Sequence, residues 1–216
     1  MVIVSDFDGT LVTRDACDAV AEHFAPDAFA DAYARFGAGE LGMNEAVALQ
    51  YEAVTALRPE AVRALRTLVE LRPGARDLVR FAAERFVPFT IVSAGFRQLI
   101  EPYVDELGFP VAVVANDVTF TPEGAVCAFS ASRACEVCGG ECKRAATIEA
   151  AGGKPVWYIG DSFSDHCAAE WVVASGGVVF GRDGLLVYLR EGGLPCTPWD
   201  DLDDVRVEIA RHLQPC

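Results

Sequence analysis

The sequence predicts an α/β protein: a parallel sheet covered by helices on both faces, with a block of helices inserted after the first strand. Two observations carry this. From residue 75 onward, short apolar runs alternate with helical segments, the pattern of strands joined by helical crossovers. Between the first apolar run and residue 72 the pattern is helical throughout, with no convincing strand. That block therefore reads as an insertion over the carboxyl edge of the sheet, where open α/β folds bind ligands. The expected boundaries are 1–13 and 73–216 for the sheet-bearing core and 14–72 for the helical insert. At 216 residues, 52% hydrophobic and 23% charged, the chain buries enough apolar surface to exclude disorder as its main state.

Taken in order, Val2 to Ser5 reads as a short buried strand. Helices are expected over Asp15–Phe24, from Pro26 to Arg35, from an Asn44 cap to Val54, and from Pro59, a first-turn proline, to Leu71. Pro73-Gly74 punctuates. Then come a helix over Ala75–Phe86, a strand over Val87–Val92, a helix over Phe96–Leu107 and a strand over Val111–Ala115. A hairpin is expected from Val118–Thr121 and Ala125–Phe129 around Pro122-Glu123-Gly124. Lys143–Ala151 reads as a helix stopped by Gly152-Gly153. Strands over Val156–Ile159 and Val178–Phe180 flank a helix over Phe163–Val173, and helices over Leu185–Arg190 and Asp203–Leu213 follow.

Lys+Arg number 18 against 32 Asp+Glu, a net charge of −14. So acidic a surface repels phosphate backbones and anionic lipid, which speaks against nucleic acid and membrane partners and for divalent cations. The opening apolar run is too short for a signal-peptide core, and no stretch nears the roughly 18 apolar residues of a membrane span. A cytoplasmic protein, monomer or homodimer, is expected.

Four motifs carry chemistry. Asp6-Phe7-Asp8-Gly9-Thr10 follows the first buried strand directly, as a capping turn or as a paired-carboxylate site. Gly160-Asp161 and Asp165 follow a second buried strand. Two parallel strands would bring Asp6, Asp8, Asp161 and Asp165 to one edge, where four carboxylates are tolerable only around a cation, and hard oxygen donors suit Mg²⁺. Ser93-Ala94-Gly95 ends another strand, as a helix cap or as an anion-binding turn. Lys143 opens a helix, as a solvated lysine or as a phosphate ligand.

Together, in order and context, these motifs resemble the haloacid dehalogenase superfamily. There D-x-D-G-T is matched by Asp6, Asp8, Gly9 and Thr10, and a strand ending in Ser or Thr by Ser93. A helix-opening lysine is matched by Lys143, with Arg144 and Lys154 as other claimants, and G-D-x-x-x-D by Gly160, Asp161 and Asp165. The resemblance covers the whole core, with residues 14–72 as the family's first-position helical cap, and implies a Rossmann-like sheet. It implies a Mg²⁺-dependent phosphatase acting on a small phosphorylated metabolite. Asp6 would be the nucleophile and Asp8 the general acid and base. Asp6, the Asp8 carbonyl and Asp161 would hold the metal, with Asp165 supporting. Thr10, Ser93, Ala94, Gly95 and Lys143 would bind phosphate. Asp8 favours phosphoester over C–halogen cleavage, and the absence of lysine from Arg14 to Arg72 argues against a Schiff-base phosphonate route. The rival class is a catalytically idle binder of phosphometabolites, and a third reading is a phosphotransferase.

Eight cysteines with no export signal read as thiols or metal ligands rather than disulfides. Cys127, Cys135, Cys138 and Cys142 are candidates for a structural Zn²⁺ site before Lys143. The run ending in Cys142-Lys143 resembles phosphocholine/phosphoethanolamine phosphatases and the phosphatases of a methionine-salvage enolphosphate. The stretches Gly181–Leu185 and Pro198–Asp201 resemble the latter, which makes that enolphosphate the first expected substrate. Phosphoserine phosphatases share the cap type, with a Glu and an Arg that read the amino acid; Glu22, Arg35, Glu40, Glu45, Glu52 and Arg58 are available here. Phe36 and Met43 are either core residues or an apolar wall under the cap.

Overall fold

The computed structural model describes residues 1–131 and 133–213; Cys216 lies outside them. Seven strands form one sheet in the order β4-β3-β2-β1-β7-β8-β9. They are β1 (Val2–Ser5), β2 (Phe89–Phe96), β3 (Ala112–Thr119), β4 (Val126–Ala128), β7 (Val156–Gly160), β8 (Val178–Gly181) and β9 (Thr197–Pro198). All neighbours are parallel except β3 and β4. A separate two-stranded hairpin joins β5 (Arg133–Ala134) to β6 (Glu141–Cys142).

Period-2 alternation splits the central strands between two apolar layers. Ile3, Ile91, Trp157, Ile159 and Phe180 face the layer that includes residues of α5 (Ala75–Glu84), α6 (Arg97–Leu107) and α10 (Leu202–His212). Val2, Val4, Val92, Val156, Tyr158 and Val179 face α7 (Arg144–Ala151), α8 (His166–Ala174) and α9 (Asp183–Glu191). Both faces of β1 are thus covered, which is why it reads as an unbroken apolar run.

The chain builds β1, β2 and β3 outward on one side and β7, β8 and β9 on the other. The direction reverses between β1 and β7, and the crevice at the carboxyl ends of such a pair is the binding position of this architecture. Asp6 N donates to Ile159 O across it (2.8 Å).

Four helices stand between β1 and α5: α1 (Ala16–Phe24), α2 (Pro26–Gly37), α3 (Met43–Glu52) and α4 (Arg58–Leu68). The chain enters and leaves this block side by side, through an antiparallel bridge of Val12 with Leu71 and the bond from Arg72 N to Leu11 O (2.9 Å). Helix α4 therefore stops at Leu68, short of the expected Leu71, because residues 69–71 are extended into this connection. Helix α3 starts before Asn44, whose amide instead donates to Glu141 far along the chain (2.9 Å). The expected break between two strands at Asn116-Asp117 does not occur. Gln98 Nε2 donates to Asp117 Oδ1, and Asn116 bonds Ala94 O and Ala131 N, so one continuous strand carries both polar residues. No helix among the described residues is long and apolar enough to cross a membrane.

Candidate active site

The carboxyl ends of β1 and β7 deliver Asp6 and Asp161 to one place, and a single turn of 3₁₀ helix (Phe163–Asp165) adds Asp165. Carboxylate oxygens of these three residues lie within 4.8 Å of one another. Lys143, just ahead of α7, inserts its buried ammonium between two of them, 2.6 Å from Asp6 Oδ1 and 2.8 Å from Asp165 Oδ1. Arg144 turns away and donates to Cys167 O (3.3 Å), and Lys154 is exposed. Lys143 is thus the one claimant to the third motif that reaches the carboxylates.

Asp165 is saturated. Its Oδ1 accepts from Lys143 Nζ and from Tyr158 OH (2.6 Å), and its Oδ2 from Asp161 N (3.0 Å) and Ser162 N (3.1 Å). A carboxylate with every lone-pair direction taken holds its neighbours in place and has nothing left for a metal. Burial alone would raise Asp165, but Lys143 and these donors outweigh it and hold the carboxyl below its ordinary value. The same two carboxylates, Asp165 and Asp6, hold Lys143 above its ordinary value against the opposite pull of burial.

Asp6 Oδ1 also accepts from Phe7 N (2.6 Å). Asp8 Oδ1 accepts from Ala16 N at the start of α1 (2.8 Å), and its Oδ2 from Ser93 Oγ (3.1 Å). Burial, then Asp165, pushes Asp6 well above the ordinary carboxylate range, and burial, then Asp15, does the same for Asp8. Burial and Asp165 raise Asp161 to about 6. One lysine against four carboxylates leaves uncompensated negative charge at the strand edge. That charge and the hard oxygens of Asp6 and Asp161 fit a divalent cation such as Mg²⁺.

Two expected phosphate groups are placed differently. Thr10 is fully buried and donates its hydroxyl to Asp161 Oδ1 (2.7 Å), so it positions that carboxylate and does not face the cavity. Gly95 N is committed to Ser93 Oγ (2.8 Å). A side chain at Gly95 would meet Asp8 Oδ2 at 2.8 Å, so glycine here admits the second aspartate. Three positioning residues carry no sequence signal that set them apart. Arg72 donates to Gly9 O (2.6 Å) and Thr10 O (2.9 Å), Asn116 Nδ2 to Ala94 O (2.7 Å), and Tyr158 to Asp165.

Gly9 has φ +70°, and a Cβ there would lie 2.9 Å from Asp161 Cγ. Gly9→Ala is expected to strain the loop and displace Asp161, lowering kcat on the order of 10²-fold with little change in secondary structure; steady-state kinetics with circular dichroism would check this.

A cavity of about 430 Å³ opens above these groups. Its floor is Asp6, Asp8, Asp161 and Lys143, and its roof comes from α2 and α3, with Phe36, Met43, Val47 and Gln50. Phe36 and Met43 are partly exposed and line this space, so they form the apolar wall. Gln50 Oε1 is buried without a hydrogen-bond partner. Of Glu22, Arg35, Glu40, Glu45, Glu52 and Arg58, none lines the cavity, and Lys143 is its one cationic lining residue among the described residues.

The thiols gather differently from expectation. Cys135, Cys138 and Cys142 are joined by Cys167 from α8, their Sγ atoms all within 4.8 Å of one another. Cys127 is not among them. It sits on β4 opposite Val118, because pairing with β3 carries it to the main apolar layer.

Residues 3–170 match the haloacid dehalogenase-like hydrolase family, and the chain belongs to that family. It is a hydrolase, and phosphatases of the family generally use Mg²⁺. The chain is 27% identical to the 2-hydroxy-3-keto-5-methylthiopentenyl-1-phosphate phosphatase of Bacillus thuringiensis subsp. konkukian (strain 97-27), over 98% of this chain and 96% of that protein. With the enzyme of the same name from Geobacillus kaustophilus (strain HTA426) it is 29% identical, over 95% and 93%. Its fold is similar to a solved phosphoserine phosphatase carrying a phospho-aspartyl intermediate analogue, with TM-score 0.69, 17% identity, and 99% and 98% of the two chains covered.

Proposed function

We propose that this hydrolase removes phosphate from a small organic phosphomonoester through an aspartyl-phosphate on Asp6, and that its substrate is an enolphosphate of the methylthiopentenyl type. The observation that carries the chemistry is the packing of Asp6, Asp161 and Lys143 at the β1–β7 switch point, beneath a cavity large enough for a small metabolite.

In this reading Asp6 attacks phosphorus with its free carboxylate oxygen, the other being fixed by Phe7 N and Lys143. Lys143 offsets the charge of Asp165 beside the nucleophile and meets an equatorial phosphate oxygen, and Ser93 Oγ meets another by turning its hydrogen from Asp8 Oδ2 to the phosphate. Asp8, raised toward its neutral form, gives its proton to the leaving oxygen and then takes one from the attacking water. A Mg²⁺ ion held by Asp6, the Asp8 carbonyl and Asp161 would supply the positive charge that lets an anionic nucleophile approach an anionic phosphate. Residues 14–72 act as a cap over a core of 1–13 and 73–216, since the cavity takes its roof from one and its floor from the other.

The roof supports the substrate class. Phe36, Met43 and Val47 suit an apolar methylthio chain, and the unpaired Gln50 Oε1 accepts from a substrate hydroxyl. A phosphoserine carboxylate would find no cap arginine among the described residues that line the cavity. A second reading, an amino-alcohol phosphate, draws on Asp15 and Asp18, which also line the cavity beside Tyr33. Inorganic phosphate release from the methylthiopentenyl enolphosphate, phosphocholine and phosphoserine, with Mg²⁺ and with EDTA, tests the proposal. The expected result is Mg²⁺-dependent turnover with kcat/KM for the enolphosphate more than about tenfold above the others. Preference for phosphocholine would hand the site to the second reading, and release that ignores EDTA would sink both.

A further inference from the structure

We propose that Cys135, Cys138, Cys142 and Cys167 bind one Zn²⁺ as a tetrahedral structural centre, tying the loop that carries Lys143 to the helix that follows Asp165. The geometry supports this first. A Zn–S bond of about 2.3 Å sets tetrahedral sulfurs about 3.8 Å apart, and Cys135 Sγ and Cys167 Sγ are 3.8 Å apart. All four sulfurs fall within 4.8 Å of one another. Four thiolates without a carboxylate form a soft donor set, which selects Zn²⁺ over the Mg²⁺ of the phosphate site.

The local backbone is shaped for a ligand. Cys135 N donates to Gly140 O (2.8 Å) and Gly139 N to Cys135 O (2.8 Å), closing a tight turn with Gly139 at φ +72°. That turn brings Cys138 back beside Cys135, so that their sulfurs share one side of the loop with Cys142 and Cys167. Arg144 Nη1 stands 3.9 Å from Cys167 Sγ, a cation beside what would be an anionic cluster. On binding, the thiols lose their protons to solvent and no electrons move, so the rival chemistry is a Cys135–Cys167 disulfide.

The centre has work to do. The hairpin it would close has strands of two residues each, too short to hold themselves. Cys142 is followed at once by Lys143, and Cys167 comes two residues after Asp165, so one ion fixes both backbones whose side chains meet at 2.8 Å. Between Gly140 and Cys142, Glu141 accepts from Asn44 N (2.9 Å) at the start of α3, the helix that brings Met43 and Val47 to the cavity. The same ion therefore steadies one wall of the roof. This positioning role rests on the phosphatase reading; the metal site does not.

Protein purified under reducing conditions would be assayed for zinc by mass spectrometry, and reconstituted with Co²⁺ for absorption spectroscopy. The expected results are one zinc per chain and, with cobalt, the visible and thiolate charge-transfer bands of a tetrahedral tetrathiolate. Cys138 is exposed, so Cys138→Ser should fold. It should lose zinc affinity by more than the roughly tenfold cost of an outer-shell partner, while Cys127→Ser keeps the metal. Loss of zinc should lower kcat, and Zn²⁺ added back to stripped wild-type protein should restore it. Wild-type protein without zinc or cobalt bands, equal retention by Cys138→Ser, or a native Cys135–Cys167 disulfide would each overturn the proposal. Zinc-loaded protein that hydrolyses no phosphoester would keep the site and sink the function instead.

Discussion

Asp6→Asn is expected to remove turnover, with kcat falling on the order of 10⁴-fold or more, the scale of losing a covalent nucleophile. The fold should survive it. Asn has the same shape, and its oxygen can still accept from Phe7 N and Lys143 Nζ, which meet Asp6 Oδ1 at 2.6 Å each. The change also removes one of four crowded carboxylates, in a place where burial and Asp165 already push Asp6 toward its neutral form. Thermal unfolding of the metal-free variant should therefore begin no lower than in the wild type. An acid-stable, hydroxylamine-sensitive phosphoenzyme should be trapped from the wild type and not from the variant. Turnover retained by a folded Asp6→Asn protein would mean that water attacks phosphorus directly, and the assignment of Asp6 would fail.

The strand edge was legible because two unbroken apolar runs, Val2–Ser5 and Val156–Gly160, each end directly in an acidic turn. Runs of that kind are buried on both faces, so their ends must lie together in a parallel sheet. The inserted helices were legible through Asp15, which caps α1, and through first-turn prolines. What stayed hidden depends on partners far along the chain. Strands β5, β6 and β9 have two residues each and exist through their neighbours, with no periodicity of their own. Asn116 and Asp117 look like a break, and only the side chains of Gln98 and the backbone of Ala94 make them part of a strand. Cys167 sits in a helix with nothing in its spacing to join it to the other three thiols. Cys127 looks adjacent to them in sequence and is carried off by its pairing with Val118. Thr10 falls in the motif, yet whether its hydroxyl serves phosphate or Asp161 is settled by the depth of the turn.

Lys143→Met should be the most destabilising single change in the site. It removes a buried ammonium that contacts two buried carboxylates, Asp6 and Asp165. Breaking a buried pair from one side costs about 3–5 kcal/mol, because the surviving charge is left without compensation. For a chain of this size that is a fall in Tm of about 10 °C. The loss in kcat should be on the order of 10²–10³-fold, as for other fixed groups that stabilise a charged transition state. Stability and catalysis separate in the double variant Lys143→Met/Asp165→Asn. There the asparagine oxygen can still accept from the amides of Asp161 and Ser162, which bond Asp165 Oδ2 at 3.0 and 3.1 Å, and its amide nitrogen can donate to Tyr158. With one buried negative charge fewer, several degrees of Tm should return while kcat stays low, because no cation reaches the phosphate. Recovery of turnover along with Tm would reduce Lys143 to a structural counter-ion. A single variant as stable as the wild type would show that the two carboxylates take up protons at little cost and do not depend on the lysine.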